Sequence, residues 1–105
     1  MTYQVIFSRE ANEDLDRLFV HVLERELNSP TGNLDIPERT IQAIHQACLL
    51  LVHSPFSCRK TGDNAFVREI IISFGGSGYV ALFEIHDSQR VIIGAIRHQH
   101  ENDYH

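Results

Sequence analysis

The segment Phe66 to His100, FVREIIISFGGSGYVALFEIHDSQRVIIGAIRHQH, sets the architecture of this chain. Three runs rich in β-branched and aromatic residues, Phe66 to Phe74, Tyr79 to Ile85 and Arg90 to His98, are divided by two short interruptions. Gly75-Gly76-Ser77-Gly78 supplies the permissive backbone of a tight reversal, and His86-Asp87-Ser88-Gln89 supplies side chains that bond their own backbone in turns. Connections this short cannot make a parallel crossover, so the three runs predict an antiparallel meander. Everything upstream then serves to cover one face of that sheet.

Upstream, Tyr3 to Phe7 alternates around Val5 and Phe7 and reads as a first strand. Ser8 follows as an N-cap, and Glu10, Glu13 and Asp14 sit favourably against the positive end of a helix. Ala11, Leu15, Leu18, Phe19, Val22, Leu23 and Leu27 recur at helical spacing, which gives an amphipathic helix of about five turns. Asn28 to Leu34 is a loop by its Pro, Gly and Asn content. Asp35 to Glu38 has the D-x-x-E form of a capping box, with Pro37 in the first turn of a second helix. Ile41, Ile44, Ala47, Cys48 and Leu51 give that helix its apolar stripe, and Ser54-Pro55 stops it. Phe56 to Ala65 is a polar connection. The expected fold is α+β in the order β-α-α-β-β-β, a two-helix hairpin on one face of a mainly antiparallel four-stranded sheet.

At 105 residues the chain forms one domain, 1–105, with enough length to bury a core. Its longest wholly apolar run, Ala47 to Val52, is far short of the roughly 20 residues that span a bilayer. Strand-like sequence starts at Tyr3 with no basic and apolar leader before it, so a cytoplasmic location is expected. Cys48 and Cys58 then read as reduced thiols, Cys48 packed in a helix and Cys58 in a loop beside Arg59 and Lys60. A formal charge of −5 argues against a broad grip on phosphate backbones. The acidic residues are concentrated in the helical half, so any anion-facing site belongs to the C-terminal half.

Two helices can cover only one face of the sheet, yet Val67, Ile71, Val80 and Leu82 leave the opposite face apolar as well. Such a face calls for a covering partner. His98, His100 and His105 suggest a metal site, but only Asp103 stands near, and zinc sites take further ligands at characteristic spacing; no metal and no cofactor is expected.

Strand, helix and meander occur here in a telling order. The opening Tyr3-Gln4-Val5-Ile6-Phe7-Ser8-Arg9-Glu10-Ala11 with Asp14-Leu15, the Pro55 and Cys58-Arg59 region, Val67-Arg68-Glu69 and the closing Ala95-Ile96-Arg97-His98 together resemble the RelE/ParE toxin superfamily of bacterial toxin–antitoxin modules. The resemblance implies a growth-arresting toxin of a plasmid stabilisation module, held inactive by a cognate antitoxin that wraps a segment around it. It also implies one of two mechanisms: RelE-like members cut mRNA on the ribosome, and ParE-like members poison DNA gyrase.

Ribonuclease chemistry of the first kind needs a base, an acid and cations around the reacting phosphate. The matching candidates are Arg68, Arg97, His98 and Tyr104, with Arg59 and Lys60 as substrate-binding cations, and they must converge on one face. Against this stand a single lysine, Lys60, and an acidic helical hairpin, which suit ribosome docking poorly. The structural alternative for Arg68 is an ion pair with an acid such as Glu84. The expected reading is therefore a ParE-like toxin whose partners are an antitoxin at Val67, Ile71, Val80 and Leu82, and DNA gyrase. The ribosome with mRNA is the alternative target, a member that only binds its antitoxin is the third reading, and a second copy of the chain is a further candidate partner.

Overall fold

The computed structural model describes residues 2–99. Strand β1 (Gln4–Phe7) leads into helix α1 (Arg9–Leu27), and helix α2 (Ile36–Cys48) runs on into a 3-10 turn at Leu49–Val52. A second 3-10 turn at Pro55–Ser57 precedes the short strand β2 (Arg59–Lys60), and the meander follows as β3 (Val67–Phe74), β4 (Ser77–Ile85) and β5 (Arg90–His98). The sheet has five strands in the order β1-β5-β4-β3-β2, with β1 parallel to β5 and the other pairs antiparallel. The expectation of four strands is thus corrected to five in a mixed sheet. The added strand lies in what reads as polar connection, because Arg59 and Lys60 pair with Glu69 and Arg68 and carry no apolar alternation of their own.

Local chemistry explains the boundaries. The Ala11 amide donates to Ser8 Oγ at 3.0 Å, so Ser8 caps α1 as its residue type predicts. The capping box at Asp35 does not form: Asp35 already has helical backbone angles and makes no side-chain cap bond. Its amide instead donates to Asn33 Oδ1 at 2.8 Å, a local turn that starts α2. The β3–β4 reversal is tighter than the glycine cluster suggests. Phe74 pairs with Ser77, so Gly75 and Gly76 alone form the turn, and Gly75 takes a φ of 59°, where a side chain would be strained.

Burial follows the strand alternation. Ile72, Tyr79, Ala81, Phe83, Ile85, Val91, Ile93 and Ile96 meet Ala11, Leu15, Leu18, Ile44, Cys48 and Leu51 in one core between sheet and helices. The register between β4 and β5 shifts at Leu82 and Phe83, where Gly94 is the extra residue. That bulge swaps the inward set on β5 from odd to even positions, from Val91 and Ile93 to Ile96. The start of α1 satisfies the ladder groups around it. The Ser8 amide donates to the Ile93 carbonyl, and the Ile96 amide donates to Asp14 Oδ2 at 2.9 Å. Asp14, which carries part of the family resemblance, therefore ties α1 to the irregular point of the sheet.

Candidate functional site

The register assigns every candidate side chain to a face. Residues directly opposite in a ladder share a face, and Tyr79, Ala81, Phe83 and Ile85 point at the helices. Arg68 stands opposite Phe83 and His98 opposite Tyr79, so both lie on the helix-covered face. Arg97 stands opposite Val80 and lies on the other face. Along β4 the four steps from Tyr79 to Phe83 span about 13 Å, and β3 and β5 are two strand spacings apart, so the Cα atoms of Arg68 and His98 are about 16 Å from each other.

Arg68 is bound into the protein itself. Its Nε donates to the Ala65 carbonyl at 2.8 Å, and its Nη1 donates to the carbonyls of Phe56 at 2.9 Å and Cys58 at 2.6 Å. The guanidinium also lies 5.2 Å from the centre of the Phe56 ring. These contacts direct it toward the connector, on the side of β3 away from β5, where it pins residues 56–65 to the sheet. The expected ion pair with Glu84 is absent, since Glu84 occupies the opposite face and meets the His86 ring at 3.0 Å.

Of the two substrate-binding candidates, Arg59 is paired with Glu69 across the β2–β3 ladder, while Lys60 is exposed opposite Arg68. His98 is half-buried and packs edge-on against the Tyr79 ring, 5.4 Å between centres. Tyr104, His100, His105 and Asp103 lie outside the described residues. Among the described residues no group of three His, Cys, Asp or Glu is gathered closely enough to hold a metal ion.

The cysteines are not activated. Burial pushes the Cys48 thiol up to about 12, reinforced by the neighbouring Cys58. Burial also raises Cys58; the nearby Arg68 guanidinium opposes this but does not prevail, and the Arg59 and Lys60 charges beside it in sequence do not make it a ready thiolate.

The uncovered face is the more distinctive surface. Val67, Ile71, Val80 and Leu82 do share it, and the register adds Ile6, Ile92 and Ala95. Val80 is buried, Val67 and Leu82 are half-buried, and Ile71 is 39% exposed. A depression of about 330 Å³ is lined by Val67, Leu82, Ile92 and Glu84 among others. Ile6 and Ile92 escape notice in the sequence because each sits between two core residues, and only the β1–β5 pairing shows which way they point.

A larger cleft, of about 570 Å³, opens at the far end of the sheet between Phe56 and Phe66, with Glu84 and His86 on its rim. Its two aromatic walls meet edge to face at 6.1 Å. Arg68 stacks behind one of them and bonds the carbonyl that precedes the other, so it shapes this cleft. Among the described residues no helix is long and apolar enough to cross a membrane.

A family model for the ParE toxin of the type II toxin–antitoxin system parDE matches residues 5–103. The chain belongs to the ParE toxin family. It is a ParE-like toxin of a type II toxin–antitoxin system, and its partner class is an antitoxin. A chain in the structure of the chromosomal ParDE toxin–antitoxin system from P. aeruginosa shares the fold of this toxin, with a TM-score of 0.70 and 15% identity over 92% of this chain and 96% of that one. Among curated proteins no sequence match is found.

Proposed function

We propose that this ParE-family toxin arrests growth in the cytoplasm by inhibiting DNA gyrase through protein contacts, without a chemical step of its own. It is neutralised by an antitoxin segment lying on the uncovered sheet face around Val67, Ile71, Val80 and Leu82. One observation carries the choice between contact and chemistry: among the described residues the candidate catalytic groups, Arg68, Arg97 and His98, do not converge. Arg68 is held by three carbonyls, His98 is about 16 Å from it along and across the strands, and Arg97 lies on the opposite face. The cation and the proton-transfer group of a ribonuclease must both reach one reacting phosphate within hydrogen-bond distance, and a guanidinium held by three carbonyls on the side of β3 away from His98 does not.

Neutralisation by burial follows from the apolar character of the uncovered face. Fully covering an exposed aliphatic side chain contributes about 1.5–3 kcal/mol; Ile71, Val67 and Leu82 keep part of their surface and gain a share of that on binding, whereas Val80 is already buried and gains none. The test is the effect of His98→Ala on toxicity. Loss of a proton-transfer group costs about 10²-fold or more in rate, so an mRNA-cleaving toxin loses its growth arrest with this change. A gyrase inhibitor retains it, together with induction of the DNA-damage response. Abolished arrest in a folded His98→Ala protein, with mRNA cleavage by the parent, would overturn the proposal.

A further inference from the structure

Charges on the uncovered face fall into two kinds. Arg59 is matched by Glu69, and Arg90 is matched by Asp87 through two bonds of 2.7 and 3.0 Å. Arg97 differs: it is half-buried among the apolar residues of that face, and no carboxylate among the described residues lies within ion-pair distance of it. Glu84 is the opposite case, an anion whose described partner is the imidazole of His86 and not a permanent cation. It borders the apolar depression that Val67, Leu82 and Ile92 line.

Arg97, with no carboxylate partner among the described residues, and Glu84, paired only with the His86 imidazole, stand at opposite ends of the apolar strip. Arg97 pairs in register with Val80, and Glu84 is four residues further along β4, so about 13 Å along the strands, and one strand spacing across them, separates the two positions. Leu82 lies between them on the same face. Any segment that buries this strip also buries Arg97 and approaches Glu84, and covering an ionised group without a counter-charge is costly.

We propose that the antitoxin segment on this face is electrically bipolar, with an Asp or Glu against Arg97, apolar side chains over Ile71 and Leu82, and a Lys or Arg against Glu84. This rests on the reading that the antitoxin occupies the uncovered face. The 13 Å separation corresponds to about four residues between acid and base if the segment is extended, and to about nine if it is helical. The two charges fix the direction in which the segment runs, because reversed docking sets like charges against each other at both ends.

The test measures the affinity of the full-length toxin for the antitoxin of its own module by calorimetry, with circular dichroism confirming that each variant is folded. Arg97→Glu and Glu84→Lys are each expected to weaken binding about tenfold or more, and reversing one acidic residue of the antitoxin restores affinity for Arg97→Glu. Arg97→Gln is expected to reduce the salt dependence of the affinity. If Leu82→Asp weakens the complex while both charge reversals leave it unchanged, the bipolar segment is wrong and the face assignment stands. If Leu82→Asp also has no effect, the face assignment itself fails. Loss in Arg97→Glu that no antitoxin charge reversal rescues would overturn the proposal. So would tighter antitoxin binding in E101Q/D103N, which would assign the acid to this chain's own last residues.

Discussion

Replacing Arg68 by Ala separates a structural guanidinium from a catalytic one. The bond to the Cys58 carbonyl is short, at 2.6 Å, and part-buried, and a charged donor in such a place contributes about 1.5–3 kcal/mol. The bonds to the carbonyls of Ala65 and Phe56 are exposed, so water replaces much of what they lose and each contributes about 0.5 kcal/mol. Stacking on the Phe56 ring adds about 0.5–1 kcal/mol. The expected loss is then about 3–5 kcal/mol. For a domain of this size 1 kcal/mol moves the midpoint by about 4–8 °C, so thermal denaturation followed by circular dichroism should show a drop of roughly 12 °C or more. Arg68→Lys should recover little of it, because one ammonium cannot reach three carbonyls spread over the connector. Toxicity of the Ala variant should fall only as far as its folded population falls. A melting temperature like that of the parent, combined with abolished toxicity, would show that Arg68 acts on a substrate and would refute the reasoning.

Other consequences concern the core, the loop between the helices and the thiols. Leu18 and Ile44 are buried on facing helices, and truncating either to Ala should cost roughly 2–5 kcal/mol in denaturant unfolding. Gly32 packs so tightly on the end of α1 that an added Cβ would sit 1.8 Å from the Glu26 carbonyl oxygen, so Gly32→Ala should destabilise by about 1 kcal/mol or more as the loop shifts. The Cys48 thiol ionises near 12 in the folded chain and near 9 once unfolded, so folding favours its neutral form. Stability from this group is complete below pH 9 and is lost progressively from there toward pH 12; in Cys48→Ala that part of the alkaline decline should be missing from a pH series of denaturant melts.

Much of this architecture was legible from residue order. The apolar periodicity of α1, the Ser8 cap and the three meander runs follow from local chemistry, and the structure reproduces them closely. Strand β2 was not legible, because two charged residues carry no alternation and become a strand only through partners supplied by β3. The Asp35 capping box failed for a similar reason: Asn33, two residues earlier, competes for the same amide. The candidate site shows the limit more sharply. Residue type makes Arg68, Arg97 and His98 look like a set, but the face each one takes depends on strand register and on the bulge at Gly94, which are properties of paired strands. By contrast the apolar uncovered face could be read from alternation alone, and pairing only widened it with Ile6, Ile92 and Ala95.

The central claim is that this toxin works by contact with gyrase and not by cutting RNA. Its most direct test is a supercoiling assay with purified DNA gyrase, run beside a primer-extension assay of mRNA on translating ribosomes, with the same purified toxin in both. Inhibited supercoiling that the antitoxin reverses, with mRNA left intact, is the predicted result. Codon-phased cleavage of ribosome-bound mRNA with supercoiling unaffected would contradict it.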